Sequence, residues 1–394
     1  MKKAYNILFG ILIIFILYPN IERIVFINEI FVLMGLMLLV RNYKTYYKKT
    51  EIALNAILFY ILYGLIYSLI SFLFLKVSTN YEFIRTLPIW YSSFAFFLGI
   101  EFINRIDFKK WFGGLRANIF LIALTFIAPG RLTNQILLPI SLVNSKTAKY
   151  FLLISTLFFV YKGGATSYVS LAVLLVVSII KNKKFMRFLT SKFTITVILA
   201  GFTALVWYVQ KTYGTFLVNS NYEVFQNIVD NNTIWRFMFW VYEFKINIYN
   251  NPIFGIGFGT PLFDLSRIPL FITSDDGSRM TPYTLGTHNS LIFILVRLGI
   301  VGLLPILILF GKLLKDYFWN KNFGLQNVCF NMFLFIGVAM LFNVIMESPV
   351  YGGIFWVVTG MFYQSLQIKK KIYAKRKNIM PSAHATTIAR SELC

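Results

Sequence analysis

The sequence predicts an all-α integral membrane protein of about twelve transmembrane helices, with one large extracytoplasmic loop that carries an interfacial helix. Three observations lead there. The 394 residues are 58% hydrophobic and only 13% charged, too few charges to solvate the surface of a soluble domain, where about a quarter of residues are charged. Apolar runs recur along the whole chain, and many approach the roughly 20 residues that a helix needs to cross the hydrocarbon core. The basic residues sit in short hinges between these runs, as the positive-inside rule requires. The net charge of +23 is therefore a topology signal rather than a nucleic-acid footprint, and no nucleic acid is expected as a partner.

Taken in order, the runs are 4–19, 24–40, 53–75, 84–103, 113–129, 147–161, 165–180, 193–210, 288–311, 324–346 and 349–367. Met1-Lys2-Lys3 ahead of the first run resembles a signal peptide, but no small-residue cleavage site follows, so this run is read as an uncleaved span. Lys2 and Lys3 put the N-terminus inside, and the hinges with Arg41, Lys44, Lys48 and Lys49, and with Arg105, Lys109 and Lys110, follow inside. From the other end, Lys369 to Lys377, Lys312 to Lys321 and Lys181 to Arg187 also belong inside. Both termini inside demands an even number of spans. The missing one is 132–143, LTNQILLPISLV, short and broken by Pro139, a form tolerated where backbone lines a protein-filled or wet cavity. Arg131, Lys162 and the stretch 211–287 then fall on the outer face. A single polytopic domain, 1–367, holds all the spans, and 368–394 is expected to be a basic, disordered cytoplasmic tail. Cys329 lies in an apolar run and Cys394 is the last residue, which argues against a disulfide framework or a cysteine zinc site.

The stretch 231–302 is where polar residues gather between apolar helices. An aromatic helix over 233–249 carries Arg236 and Trp240, four apart and so on one face. Its Trp and Tyr content suits the membrane interface, where an arginine meets water, lipid phosphate or a bound anion. Asn251-Pro252 ends that helix, and the run Gly255-Ile256-Gly257-Phe258-Gly259 follows. This run lacks the dinucleotide-binding spacing. It reads as a flexible turn, or as a hinge that lets a lipid-linked substrate approach the backbone. A polar loop then holds Arg267, Asp275, Asp276 and Arg279. Asp275 and Asp276 have no evident third ligand, so neither a metal site nor a cofactor is expected. The charges of 211–287 nearly balance, with Glu223, Asp230, Glu243 and Asp264 among the acids, so its arginines are not topology signals.

His288 is expected in the first turn of the next span, with Thr287 or Ser290 as its cap. There the positive end of the helix dipole favours neutral imidazole, which can take a proton as a general base. The other reading of His288 is a capping or interfacial residue. Arg297 lies nine residues further along, about 14 Å deeper in a helix. An arginine at that depth is functional by default, or else it forms a structural ion pair, with Glu101 and Glu347 as candidate partners.

The run R-x-x-x-W (Arg236, Trp240), then N-P-I-F-G-I-G-F-G (Asn251 to Gly259), then T-H-N-S-L-I-F-I-L-V-R-L-G-I-V-G-L (Thr287 to Leu303) resembles the bacterial O-antigen polymerase and O-antigen ligase family. The motifs cover 233–303, and the twelve-span layout with one large outer loop resembles the family too. The resemblance implies a metal-independent GT-C-class membrane glycosyltransferase acting on undecaprenyl-pyrophosphate-linked glycans at the outer face of the bacterial inner (plasma) membrane. It implies that Arg236 grips the pyrophosphate and that His288 is the base. Arg279, Arg131 and Lys162 are further candidate pyrophosphate contacts. Lys162, in YKGGATS, stands where the family commonly has arginine in a serine-arginine-glycine context. Asn289, Trp240, Gly255, Gly257, Gly259 and Arg297 are supporting residues, and relatives often carry an acid where Arg297 stands. Attack opposite the leaving group would invert the anomeric carbon. A repeat-unit polymerase is favoured. The alternatives are a ligase that transfers the glycan to lipid A-core and, more distantly, a transporter or flippase. Expected partners are the lipid-linked oligosaccharide and membrane lipid, with a lipid A-core acceptor or a chain-length regulator besides.

Overall fold

A computed structural model describes residues 5–10, 26–47, 51–75, 77, 79–106, 200, 204, 239–262, 288–319, 325–341, 343–348 and 351–379. Regular structure among them is helical, without a strand. The helices are α1 (Phe26–Tyr47), α2 (Ile52–Phe74), α3 (Asn80–Thr86), α4 (Pro88–Tyr91), α5 (Ala95–Arg105), α6 (Ser290–Trp319), α7 (Leu325–Ala339) and α8 (Tyr351–Ile379). A helical stretch over 239–250 contains a π-helical turn, Phe244–Ile248. Of the sequence-read spans, 113–129, 132–143, 147–161, 165–180 and most of 193–210 lie outside the described residues, as does much of 4–19.

Among the described residues, three helical segments are long and apolar enough to cross a membrane: Ile52–Phe74, Asn80–Arg105 and Ser290–Phe318. In α2 the buried positions Leu54, Ile57, Ile61, Gly64, Tyr67 and Ser71 recur every three or four residues. The other face is no less apolar, with Phe59, Leu62, Leu69 and Leu73 half exposed or more. A helix that is hydrophobic all round and still exposed suits lipid, not water. The second span is a jointed rod. Thr79 caps α3 by accepting from the Glu82 backbone N–H at 3.2 Å. Pro88 opens α4, and a 3-10 turn, Ser92–Phe94, passes into α5. The sequence-read span 324–346 is shorter than expected. α7 stops at Ala339, and 340–348 folds back towards the start of α6.

α8 is the centre of the packing, against α5, α7 and α1. Its Thr359, Gln364, Ser365 and Gln367 are as buried as its Phe355, Trp356 and Val357, so protein rather than lipid surrounds it. Where α8 crosses α5 the two backbones nearly touch. A Cβ on Gly99 would strike the Val357 carbonyl oxygen, and one on Gly360 would strike the Phe96 carbonyl oxygen. Paired small residues are how membrane helices, which gain little from expelling water, reach close van der Waals contact. Towards the C-terminal end of α6, Tyr317 stacks on Phe330 of α7 at 3.9 Å and meets Phe362 of α8 edge-on. α8 runs on through the basic cluster in helical form to Ile379, past the expected start of the tail at 368.

Gly99→Val and Gly360→Val should each lower the thermal midpoint of the purified protein. The added methyl groups meet backbone, and overpacking commonly costs about 1–3 kcal/mol. Gly311→Ala, with open space at its Cβ, should leave the midpoint near wild type in the same detergent melt.

Candidate functional site

The site is organised by a break in α6. Gly299 has φ 63° and ψ −166°, a conformation open to glycine and strained for other residues. In an unbroken helix, Ile300 N–H would donate to Val296 C=O and Val301 N–H to Arg297 C=O. Neither bond forms. Ile300 and Val301 donate instead to Pro252 and Ile253 carbonyls at 3.0 and 3.2 Å, while Val296 and Arg297 carbonyls accept from Ile256 and Gly257 at 2.8 and 3.1 Å. These four groups are thus taken up by the segment after Asn251-Pro252, and Tyr63 Oη donates to a fifth, the Leu298 carbonyl, at 3.0 Å. The contact begins about 9 Å along α6 and ends about 16 Å along it, so part of the stretch 211–287 reaches well into the helical bundle.

The glycine run is neither a free turn nor an open hinge. Asn251 to Phe254 are exposed, with Ile253 and Phe254 turned outward, but Gly255, Gly257, Phe258, Gly259 and Leu262 are buried. The three glycines have φ of 74°, 80° and 72°. A Cβ on Gly255 would lie 2.5 Å from the Val296 carbonyl oxygen, and one on Gly259 would lie 3.0 Å from Phe83 Cα. Side chains from three helices secure the backbone here. Tyr67 Oη donates to Gly255 C=O at 3.0 Å. Phe258 N–H donates to Ser71 Oγ at 3.2 Å, and Gly259 N–H to Thr86 Oγ1 at 3.1 Å. Arg297 Nη1 donates to the Gly257 and Thr260 carbonyls at 3.1 and 2.5 Å. Irregular backbone at membrane depth persists only when its polar groups are satisfied like this.

Arg297 is fully buried, and its guanidinium also lies 5.3 Å from the Phe293 ring centre. Its expected partners are engaged elsewhere. Glu101 pairs with Arg105 at 2.5 Å, and Glu347 accepts from Ser290 Oγ at 2.6 Å. The nearby acid is Glu243, whose carboxylate the Arg297 charge favours. Sequence reasoning overlooked this residue, although a lone Glu in the apolar run FWVYEF was a usable signal.

At the N-terminal end of α6 the expectation for His288 needs correction. The helix starts at Ser290, and Asn289 is its cap, its Oδ1 accepting from Leu291 and Ile292 N–H at 3.0 and 3.1 Å. His288 precedes the cap rather than lying in the first turn. It is half-buried, with φ 49°, left-handed backbone that histidine tolerates better than most residues. Ser290 does not cap; it ties down the return from α7. Its N–H donates to Met340 C=O at 2.9 Å, and its Oγ accepts from Ile345 and Met346 N–H at 3.1 Å each while donating to Glu347. Glu347 Oε1 has no hydrogen-bond partner.

Trp240 is buried in the first turn of 239–250. Arg236, Arg279, Arg131, Lys162, Asp275 and Asp276 lie outside the described residues. The structure therefore brings Gly255, Gly257, Gly259 and Arg297 into one assembly, with Asn289 and His288 at the start of the same helix, α6.

Two predictions follow from this geometry. Tyr67→Phe strands the buried Gly255 carbonyl and should cost about 1–3 kcal/mol, read as a lower unfolding midpoint. Burial pushes the Glu347 carboxyl up to about 7, against the Ser290 hydrogen bond. A carboxyl raised on folding stabilises the fold below its unfolded value, and that stabilisation is lost as pH rises through the folded one. The wild-type midpoint should thus fall between about pH 5 and pH 8. Glu347→Gln, uncharged throughout, should make the fall shallower and leave the part that the raised Glu243 carboxyl contributes; an equally steep fall in that variant would assign it wholly to other groups.

No curated protein matches the chain. Residues 150–307 match a family model described as O-antigen ligase, a range that includes the clasped glycine run, the His288-Asn289 pair and the broken part of α6. The resemblance seen in the motifs is borne out over residues 150–307, the stretch that matches this family model.

Proposed function

We propose that the protein is an inverting, metal-independent glycosyltransferase of bacterial surface polysaccharide synthesis that acts on undecaprenyl-pyrophosphate-linked glycans as a repeat-unit polymerase. The observation that carries this is His288. It stands just before the α6 cap, on left-handed backbone, at the outer end of a helix whose deeper turns are locked to the glycine run. The family domain spans the same residues. Twelve spans, cytoplasmic termini and an inner-membrane site open to the extracytoplasmic side belong to this reading.

In the proposed reaction an acceptor sugar hydroxyl attacks the anomeric carbon of the lipid-linked donor. The new carbon–oxygen bond forms as the bond to the pyrophosphate breaks. The pyrophosphate leaves with the electron pair, and the hydroxyl proton passes to His288. Arg236 grips the departing diphosphate, because the guanidinium fork matches phosphate oxygens in pairs and stabilises charge as it develops. Arg279, Arg131 and Lys162 are proposed to add positive charge on the same face. The matching family's description favours a second reading, ligase activity, in which the acceptor is lipid A-core.

Purified protein with an undecaprenyl-pyrophosphate-linked repeat unit tests this. A ladder of products one repeat apart supports polymerase, whereas transfer only when lipid A-core is added supports ligase. His288→Ala should slow single-turnover transfer by about 10²–10⁴-fold, the usual scale of general-base help, and leave donor binding in place. Arg236→Lys should lose much of the rate although it keeps the charge. Wild-type transfer by His288→Ala would remove the base assignment.

A further inference from the structure

The stretch 239–250 holds a carboxylate that this chemistry leaves unused. Glu243 is fully buried, and its Oε1 has no hydrogen-bond partner. Its Oε2 accepts from Asn247 Nδ2 at 2.6 Å, and the same amide donates to Leu262 C=O at 2.9 Å. Leu262 lies just beyond the segment that Arg297 holds through Gly257 and Thr260. Burial pushes the Glu243 carboxyl up to about 8, with the Asn247 hydrogen bond and the Arg297 charge pulling the other way. Glu243 and Asn247 thus link 239–250 to the clasped loop and, through Arg297, to α6.

The backbone is unusual at the same place. Phe244–Ile248 is a π-helical turn beginning directly after Glu243, and such turns are rare and gather at functional sites. An incompletely bonded buried acid is a poor source of stability, because its desolvation offsets its attraction to the cation. Fixing the register of two elements is the better-attested use of such groups. The two elements here are the ones that matter for transfer. Arg236 precedes Glu243 by seven residues, and His288 precedes Arg297 by nine.

We propose that Glu243, with Asn247, is a positioning residue for glycosyl transfer, setting the register of 239–250 against α6 by way of Leu262 and Arg297. The inference rests on the glycosyltransferase reading and assigns Glu243 no contact with substrate. Its work is to hold the phosphate-gripping side of the site at a fixed distance from the base.

Full-length protein in lipid nanodiscs, given the undecaprenyl-pyrophosphate-linked repeat unit, tests it. Glu243→Gln keeps the shape and removes the charge; Asn247→Ala keeps the charge and removes both hydrogen bonds. Each should slow single-turnover transfer at saturating donor by about 10–100-fold, the scale of a misplacement near 1 Å. The donor KM should stay within about threefold, because register rather than binding is disturbed; the unfolding midpoint should stay close to wild type in Glu243→Gln and fall in Asn247→Ala, which strands the Leu262 carbonyl, so rates are compared per folded protein. Glu243→Asp should recover part of the rate. Wild-type rates in both variants would overturn the proposal, and so would a rate loss that only tracks loss of folded protein. Should wild-type protein itself fail to transfer glycan, the glycosyltransferase reading falls and this inference with it. An active wild type with unaffected variants removes the positioning role alone.

Discussion

The exchange of backbone hydrogen bonds at Gly299 is the constraint on which the rest of this structure depends. A helix broken inside a membrane exposes donors and acceptors for which lipid has no partner, each costing several kcal/mol if left alone. Here the chain from Pro252 to Gly257 supplies partners for four of them, and Tyr63 donates to a fifth, the Leu298 carbonyl. The break therefore requires the loop, and the loop requires the break. Neither Gly299 nor the Gly255-Ile256-Gly257 run is intelligible alone. The loop's own remaining groups then need partners, and Tyr67, Ser71, Thr86 and Arg297 meet that need from α2, α3 and α6. A local exception in α6 in this way specifies polar residues on two other helices, α2 and α3, as well as on α6 itself.

The same accounting explains why a buried arginine is tolerated. A guanidinium at this depth is costly unless its hydrogens find acceptors. Gly257 and Thr260 offer carbonyls because their backbone is not helical and has no regular use for them. Arg297 thus draws on groups that the Gly299 break makes available. At the outer end Ser290 plays a smaller version of this role. One hydroxyl satisfies two backbone donors of the α7–α8 connection and donates to Glu347, which keeps the start of α6 fixed just behind His288.

Much of the helical framework was legible in the sequence, because burial in lipid leaves a compositional trace. The runs 53–75 and 84–103 correspond to described spans, and 288–311 to the longer α6. The His288-Asn289 pair and the glycine run were legible as a motif. What they do was less so. Leu298-Gly299-Ile300-Val301-Gly302 has the composition of an ordinary membrane helix, and nothing periodic reveals that its hydrogen bonds cross to residues over 40 positions away. The partner of Arg297 was missed for a related reason. A sequence can suggest an ion pair with an acid, whereas Arg297 donates to the Gly257 and Thr260 backbone carbonyls, which no side-chain pattern reports. α7 was read too long because 340–346 is as apolar as a helix, yet Ser290 draws that segment into a turn.

Fixed geometry has a chemical consequence if transfer occurs at this end of the bundle. Departure of a diphosphate concentrates negative charge, and stabilising it is most effective when dipoles and cations are already oriented and need not reorganise. A loop on the membrane surface would be a poor platform for this, because its backbone could relax with the substrate. Residues 251–262 behave differently. They are pinned at one side to the broken turn of α6 and at the other to α2 and α3, and Asn247 and Glu243 extend the attachment into the helix that comes before them. The irregular part of the chain is consequently held from several directions, more firmly than a helix end exposed to water, where terminal groups fray. In this protein the departure from helical regularity is itself the source of rigidity, and it lies directly beneath the histidine for which a base has been argued.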